Sequence, residues 1–187
     1  IAVLVRTNEE ARRMQAALQN AEVPSVIHSD ESVFQSPGAL ELQRVLAGVA
    51  EPRNEGKVRA ALATDLLGMT GVELARLAQD EIAWDGWLEA YALYRSLWLD
   101  EGFMTMVTAL ITRQQVRSRL LALPGGERRL TNVLHCCELL HQAALEAGLG
   151  VDELLKWLTE ERQQTGMAKV EENQIRLETD EQADKIV

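Results

Sequence analysis

The sequence predicts an α/β fold carrying an all-α block, with a partial parallel sheet formed by the two chain ends and a large helical insertion between them. Three observations lead there. Short apolar runs at the amino end, Ile1-Ala2-Val3-Leu4-Val5 and Val23-Pro24-Ser25-Val26-Ile27, flank a helical pattern. From Lys57 to about Gln163 only helical periodicity is found. Strand character then returns in Asn173-Gln174-Ile175-Arg176-Leu177-Glu178 and Lys185-Ile186-Val187.

The first run is short and wholly apolar, which reads as a strand buried on both faces in the middle of a parallel sheet. Thr7 or Asn8 suits a helix N-cap, and Glu9 and Glu10 then fall in the first turn, where acidic groups complement the helix dipole. The helix over 11–18 places Met14, Ala17 and Leu18 on its inner face, and Asn20-Ala21-Glu22 ends it. The second run has Pro24 near its start and completes a βαβ unit, which is normally right-handed with parallel strands. Ser29-Asp30-Glu31-Ser32 reads as a turn, and Pro37-Gly38 opens a helix over 39–49. Residues 51–56 break the chain. Beyond them Gly68, Gly71, Gly102, Pro124-Gly125-Gly126 and Gly148-Leu149-Gly150 punctuate six or seven successive helices. The expected domains are therefore 1–50 with 166–187, and 51–165.

The composition, 47% apolar and 26% charged over 187 residues, is that of a soluble globular protein long enough for a real core. No apolar run approaches the roughly 20 residues that span a bilayer, so no membrane association is expected. A first residue other than methionine, already in a strand, leads us to expect a piece of a longer protein without a signal peptide. Cys136 and Cys137 are adjacent and make no disulfide framework, which favours a reducing cytoplasm. The net charge of −10 argues against coating nucleic acid by bulk electrostatics. A local groove is still compatible: residues 106–130 carry Arg113, Arg117, Arg119, Arg128 and Arg129 against Glu127 alone, and the acidity gathers in residues 160–184.

Arg6 follows the first strand, on the loop where open α/β sheets place their ligands. Its planar guanidinium suits a phosphate as well as a surface carboxylate. Trp84, Trp87, Tyr91, Tyr94 and Trp98 step by 3, 4, 3 and 4, a helical seam expected to face a core. A stacking platform for bases or a docking face for a partner are the other uses of such a seam. His135, Cys136, Cys137 and His141 sit on one helix rather than on separate segments, so buried thiols are expected rather than zinc. No Ser-His-Asp set stands out, and no glycine-lysine phosphate loop follows either amino-terminal strand.

Several motifs occur in an order that resembles the second RecA-like domain of superfamily-one, UvrD/Rep-like DNA helicases. They are Val3-Leu4-Val5-Arg6-Thr7-Asn8 with its helix, the extended Val23-Pro24-Ser25-Val26, and the aromatic turn Ser32-Val33-Phe34-Gln35 leading to a helix over 40–49. Ala61-Leu62-Ala63-Thr64-Asp65-Leu66-Leu67-Gly68-Met69-Thr70 is similar to the first glycine turn of that family's helical insertion, called 2B. Gly125-Gly126-Glu127-Arg128-Arg129-Leu130-Thr131 and Ile175-Arg176-Leu177-Glu178-Thr179-Asp180 look most like the exodeoxyribonuclease V beta-chain branch. The resemblance covers essentially the whole chain.

The resemblance implies a double-strand-break repair helicase and exonuclease that couples ATP hydrolysis, with Mg2+, to DNA unwinding. It gives Arg6 the catalytic role of binding the ATP γ-phosphate across a cleft. The ATP-gripping loop lies outside these residues, so the chain alone is expected to hold no nucleotide and to be inactive. Ser32, Arg128 and Arg129 become the DNA-phosphate candidates. Gly68-Met69-Thr70-Gly71 departs from the glycine-isoleucine-glycine turn of simpler relatives. The implied partners are duplex and single-stranded DNA ends and other subunits of a cytoplasmic complex. The alternative from another class is a free-standing helical interaction or scaffold module with no link to ATP.

Overall fold

The computed structural model describes residues 2–23, 25 and 32–163, which fall into two compact units divided between Ser32 and Val33. In the first unit α1 (Asn8–Asn20) starts where the side-chain pattern places it: Thr7 Oγ1 accepts the Glu10 backbone N–H at 3.2 Å, and Glu9 and Glu10 occupy the first turn.

The parallel sheet expected from the chain ends is overturned. Among the described residues every regular element is helical, and only single bridge positions occur, at Ser25 and Ser32. Residues 2–5 form no strand, and Val3, Leu4 and Val5 are 46%, 96% and 39% exposed rather than buried on both faces. Met14, expected inside, is 40% exposed. An apolar run is buried as a central strand only when strands flank it and helices cover both faces; the described residues supply neither neighbour. Most of the second run, and both carboxyl-terminal runs, lie outside the described residues.

The second unit is a helical assembly around α2 (Pro37–Ala50). A short 3-10 turn, Val33–Gln35, precedes it and buries Val33 and Phe34. Ser36 then caps α2, its Oγ accepting the Ala39 N–H at 3.2 Å, and Pro37 opens the first turn with a preset φ. Leu42, Val45, Leu46 and Val49 are all buried, because α2 packs against α3 (Glu55–Leu62), α5 (Glu81–Glu101), α8 (Gly126–Ala147) and α9 (Val151–Gln163). Gly48 permits the crossing with α5: a Cβ there would lie 2.8 Å from Tyr91 Cε1. The α2–α9 contact carries polar staples, Gln43 Nε2 donating to Thr159 Oγ1 at 2.7 Å and Arg162 Nη1 donating to Gln43 Oε1. Phe34 meets Trp157 of α9 edge to face at 5.3 Å.

Among the described residues seven helices run from Glu55 to Gln163, the others being α4 (Gly71–Leu77), α6 (Phe103–Arg113) and α7 (Val116–Leu121). The aromatic seam of α5 is core. Trp84, Tyr91, Tyr94 and Trp98 are buried and Trp87 is half-buried, so this face presents no free platform for bases. Cys136 and Cys137 are likewise buried thiols; burial pushes Cys136 well up and Cys137 to about 12, which leaves both protonated and unreactive at neutral pH. No helix among the described residues is long and apolar enough to cross a membrane.

Candidate nucleic-acid interface

The two glycine-containing motifs of the helical unit, 61–70 and 125–131, meet in space. The link is Arg129, in the first turn of α8. Its Nη2 donates to Glu41 Oε1 of α2 at 2.9 Å and to Asp65 Oδ2 of the glycine turn at 2.6 Å. One guanidinium nitrogen thus serves two carboxylates. Glu41 is nearly enclosed, with 14% of its side chain exposed, whereas Asp65 is 54% exposed. Burial pushes the Glu41 carboxyl above its ordinary range. The Arg129 charge opposes that rise, the Asp65 charge adds to it, and the backbone N–H groups of Leu66 and Asp65 pull the other way.

The turn between α3 and α4 is held from its other side by Arg119 of α7. Its Nη1 donates to Leu66 O and to Gln114 O, both at 2.8 Å. Gly68 makes room for this arm: its φ is +71°, and a Cβ there would stand 2.5 Å from Arg119 Cδ and Nε. Inside the turn, buried Thr64 donates its hydroxyl to Ala61 O at 2.6 Å, and Thr64 O accepts the N–H groups of Leu67 and Gly68. Thr70 closes the segment as the N-cap of α4 through a reciprocal capping box with Glu73. The result is a surface turn fixed by two arginines drawn from the basic stretch.

No protein-family model matches the chain. Individual relatives do, over its whole length. It is 37% identical over 188 residues to the RecBCD enzyme subunit RecB of Escherichia coli (strain K12), and 38% identical over 192 residues to that of Haemophilus influenzae (strain ATCC 51907 / DSM 11121 / KW20 / Rd). Identity to the RecB subunit of Mycobacterium tuberculosis (strain CDC 1551 / Oshkosh) is 33% over 190 residues. Each alignment takes in 100% of this chain. The chain belongs to the RecB family. It spans 15–17% of the length of these RecB relatives.

Within this RecB-family chain the sequence-derived candidates stand in different settings. Arg6 lies just before α1 with 91% of its side chain exposed. Its backbone N–H donates to Glu10 Oε2 at 2.9 Å, and its Nη2 is 3.7 Å from Glu10 Oε1. Ser32 closes the first unit at a bridge position and is half-buried. Arg128 is half-buried beside Arg129. Arg129 is committed to Glu41 and Asp65, with only 27% of its side chain exposed. Sequence reading did not bring Glu41, Asp65 and Arg119 together as members of this cluster. Asp65 was visible within its motif and Arg119 within the basic stretch, but Glu41 carries no local signal and the partners of all three are remote in the chain.

Proposed function

We propose that this chain serves an ATP-dependent DNA helicase and exonuclease of the exodeoxyribonuclease V type, acting in the cytoplasm on double-strand breaks together with other subunits. The observation that carries the reading is the alignment with RecB subunits over 100% of the chain. In this reading the first unit belongs to the second RecA-like domain and the helical unit is its insertion, so the division expected at residue 50 moves back to Ser32 and Val33 and α2 goes with the insertion. DNA is the substrate, and ATP with Mg2+ supplies the work.

Arg6 is then the residue that senses nucleotide. Its guanidinium is exposed and, among the described residues, faces the surface carboxylate of Glu10 one turn away, a pairing worth little that a phosphate readily displaces. A planar cation aimed at developing phosphoryl charge stabilises the transition state without itself gripping ATP. Ser32 and Arg128 remain the phosphate candidates, with Arg129 acting through the turn it holds.

The test is Arg6→Ala in the full-length protein assembled with its partner subunits. DNA-stimulated ATP hydrolysis should fall by roughly 10³-fold, the scale of an arginine acting on a transferring phosphate, while DNA binding without nucleotide stays intact. Hydrolysis at the parental rate would sink the assignment.

A further inference from the structure

We infer that Arg113 and Arg117 form a contact for the phosphodiester backbone of duplex DNA at the corner between α6 and α7. This rests on the DNA-acting reading above. In a chain of net charge −10, the segment from Gly102 to Gly126 contains no aspartate or glutamate and three arginines. One of the three, Arg119, is consumed by the backbone carbonyls of Leu66 and Gln114. The other two are exposed, and neither side chain makes a hydrogen bond or ion pair among the described residues.

Their isolation contrasts with other cations of the helical unit. Lys57 is paired with Glu51, Arg59 with Glu55, Lys156 with Glu160, and Arg129 with Glu41 and Asp65. Arg44, Arg53 and Arg76 are also exposed without an ion pair among the described residues, but each has an aspartate or glutamate within four positions in the chain. At this corner the segment itself supplies no acid, and Glu73 and Asp80 of neighbouring elements line the groove beside Gln114 and Arg119, while Arg113 and Arg117 stay exposed. Binding a phosphate there releases condensed counterions with no internal ion pair to break.

The corner is also prepared. Arg113 ends α6, Gln115 takes a left-handed φ of +52°, and Arg117 lies in the first turn of α7, so the two guanidinia flank one reversal of the chain. The reversal is pinned on its inner side. Gln114 Nε2 donates to the Tyr94 hydroxyl at 2.8 Å, Gln114 O accepts from Arg119, and Val116 and Leu120 are buried. The backbone of the corner therefore needs little ordering when a ligand arrives, and the cost falls on the two arginine side chains. Residues 113–119 themselves include no aromatic side chain on which an unpaired base would stack. This favours the regular backbone of a duplex over a single strand.

The experiment compares Arg113→Gln/Arg117→Gln with the parent in the full-length protein assembled with its partner subunits, using blunt duplex DNA across a salt series. The slope of log K against log salt should become shallower by about 2, at roughly 0.9 per lost phosphate contact, with affinity down about tenfold or more near ~0.1 M salt. Lys156→Gln, a cation on α9 paired with Glu160, should leave the slope alone. A parental slope in the double variant overturns the inference and leaves the DNA-acting reading standing. Absence of duplex binding by the parent itself overturns both. Loss of subunit association on sedimentation, with the slope unchanged in what remains assembled, assigns the corner to a protein partner and overturns the DNA contact.

Discussion

Arg129 illustrates how a residue that looks like a phosphate ligand acts inside its own fold. Its Nη2 is shared by Glu41 and Asp65, and Glu41 is the more enclosed of the two acids. Burial raises the Glu41 pKa above its ordinary 4.5, so the folded state holds that proton more tightly than the unfolded chain does. The sign follows from linkage: stability is greatest below the ordinary value and declines as pH rises through the raised one. Glu41→Gln keeps an acceptor for Arg129 and removes the titration. Denaturant midpoints between about pH 4 and 7 should therefore fall less with rising pH in the variant than in the parent. Equal pH slopes would show that the carboxylate is not under strain. Arg129→Ala should do the reverse and steepen the decline, since ionised Glu41 then loses its counter-charge.

Among the elements, α2 carries the greatest share of the core because few of its positions face solvent. Leu46 is 1% exposed. Leu46→Ala should cost about 2–5 kcal/mol by lost burial and a residual cavity, read as a shift in the denaturant midpoint. Leu93→Ala on α5, at 41% exposure, should cost under about 1 kcal/mol on the same measurement. Comparable losses at the two sites would contradict α2 as the central helix. This element was legible in sequence: Pro37-Gly38 marked its start and the break at 51–56 its end. The Ser36 cap was not singled out, although a serine just before proline is a helix-start pattern. The aromatic seam of α5 was equally readable, because a 3-4 spacing puts its members on one face whatever that face packs against. The amino-terminal strand was misread for the complementary reason. Five apolar residues look alike whether strands flank them or not, and Leu4 is 96% exposed.

At the scale of the molecule, unevenness of packing should appear as unevenness of opening. The α2 helix packs on α3, α5, α8 and α9, whereas α4 is seven residues long and leaves Val72 62% exposed. In native-state hydrogen exchange the α2 amides should be the slowest of the helical unit, and those of α4 should exchange through a local opening of lower free energy. Uniform protection across both helices would contradict this. The ordered motifs and the kinship of the whole chain to part of RecB were present in the sequence by itself, as was the run of helices from Glu55 to Gln163. Periodicity, capping and glycine punctuation are local, so they survive in a one-dimensional string. Only the tertiary structure decided what the arginines do. Arg129 finds Glu41 and Asp65 88 and 64 positions away, and Arg119 finds Leu66 across 53. Such pairings depend on which helix faces which, and that is set by packing rather than by spacing. The same packing leaves Arg113 and Arg117 outward-facing, although in the string they are indistinguishable from their neighbours.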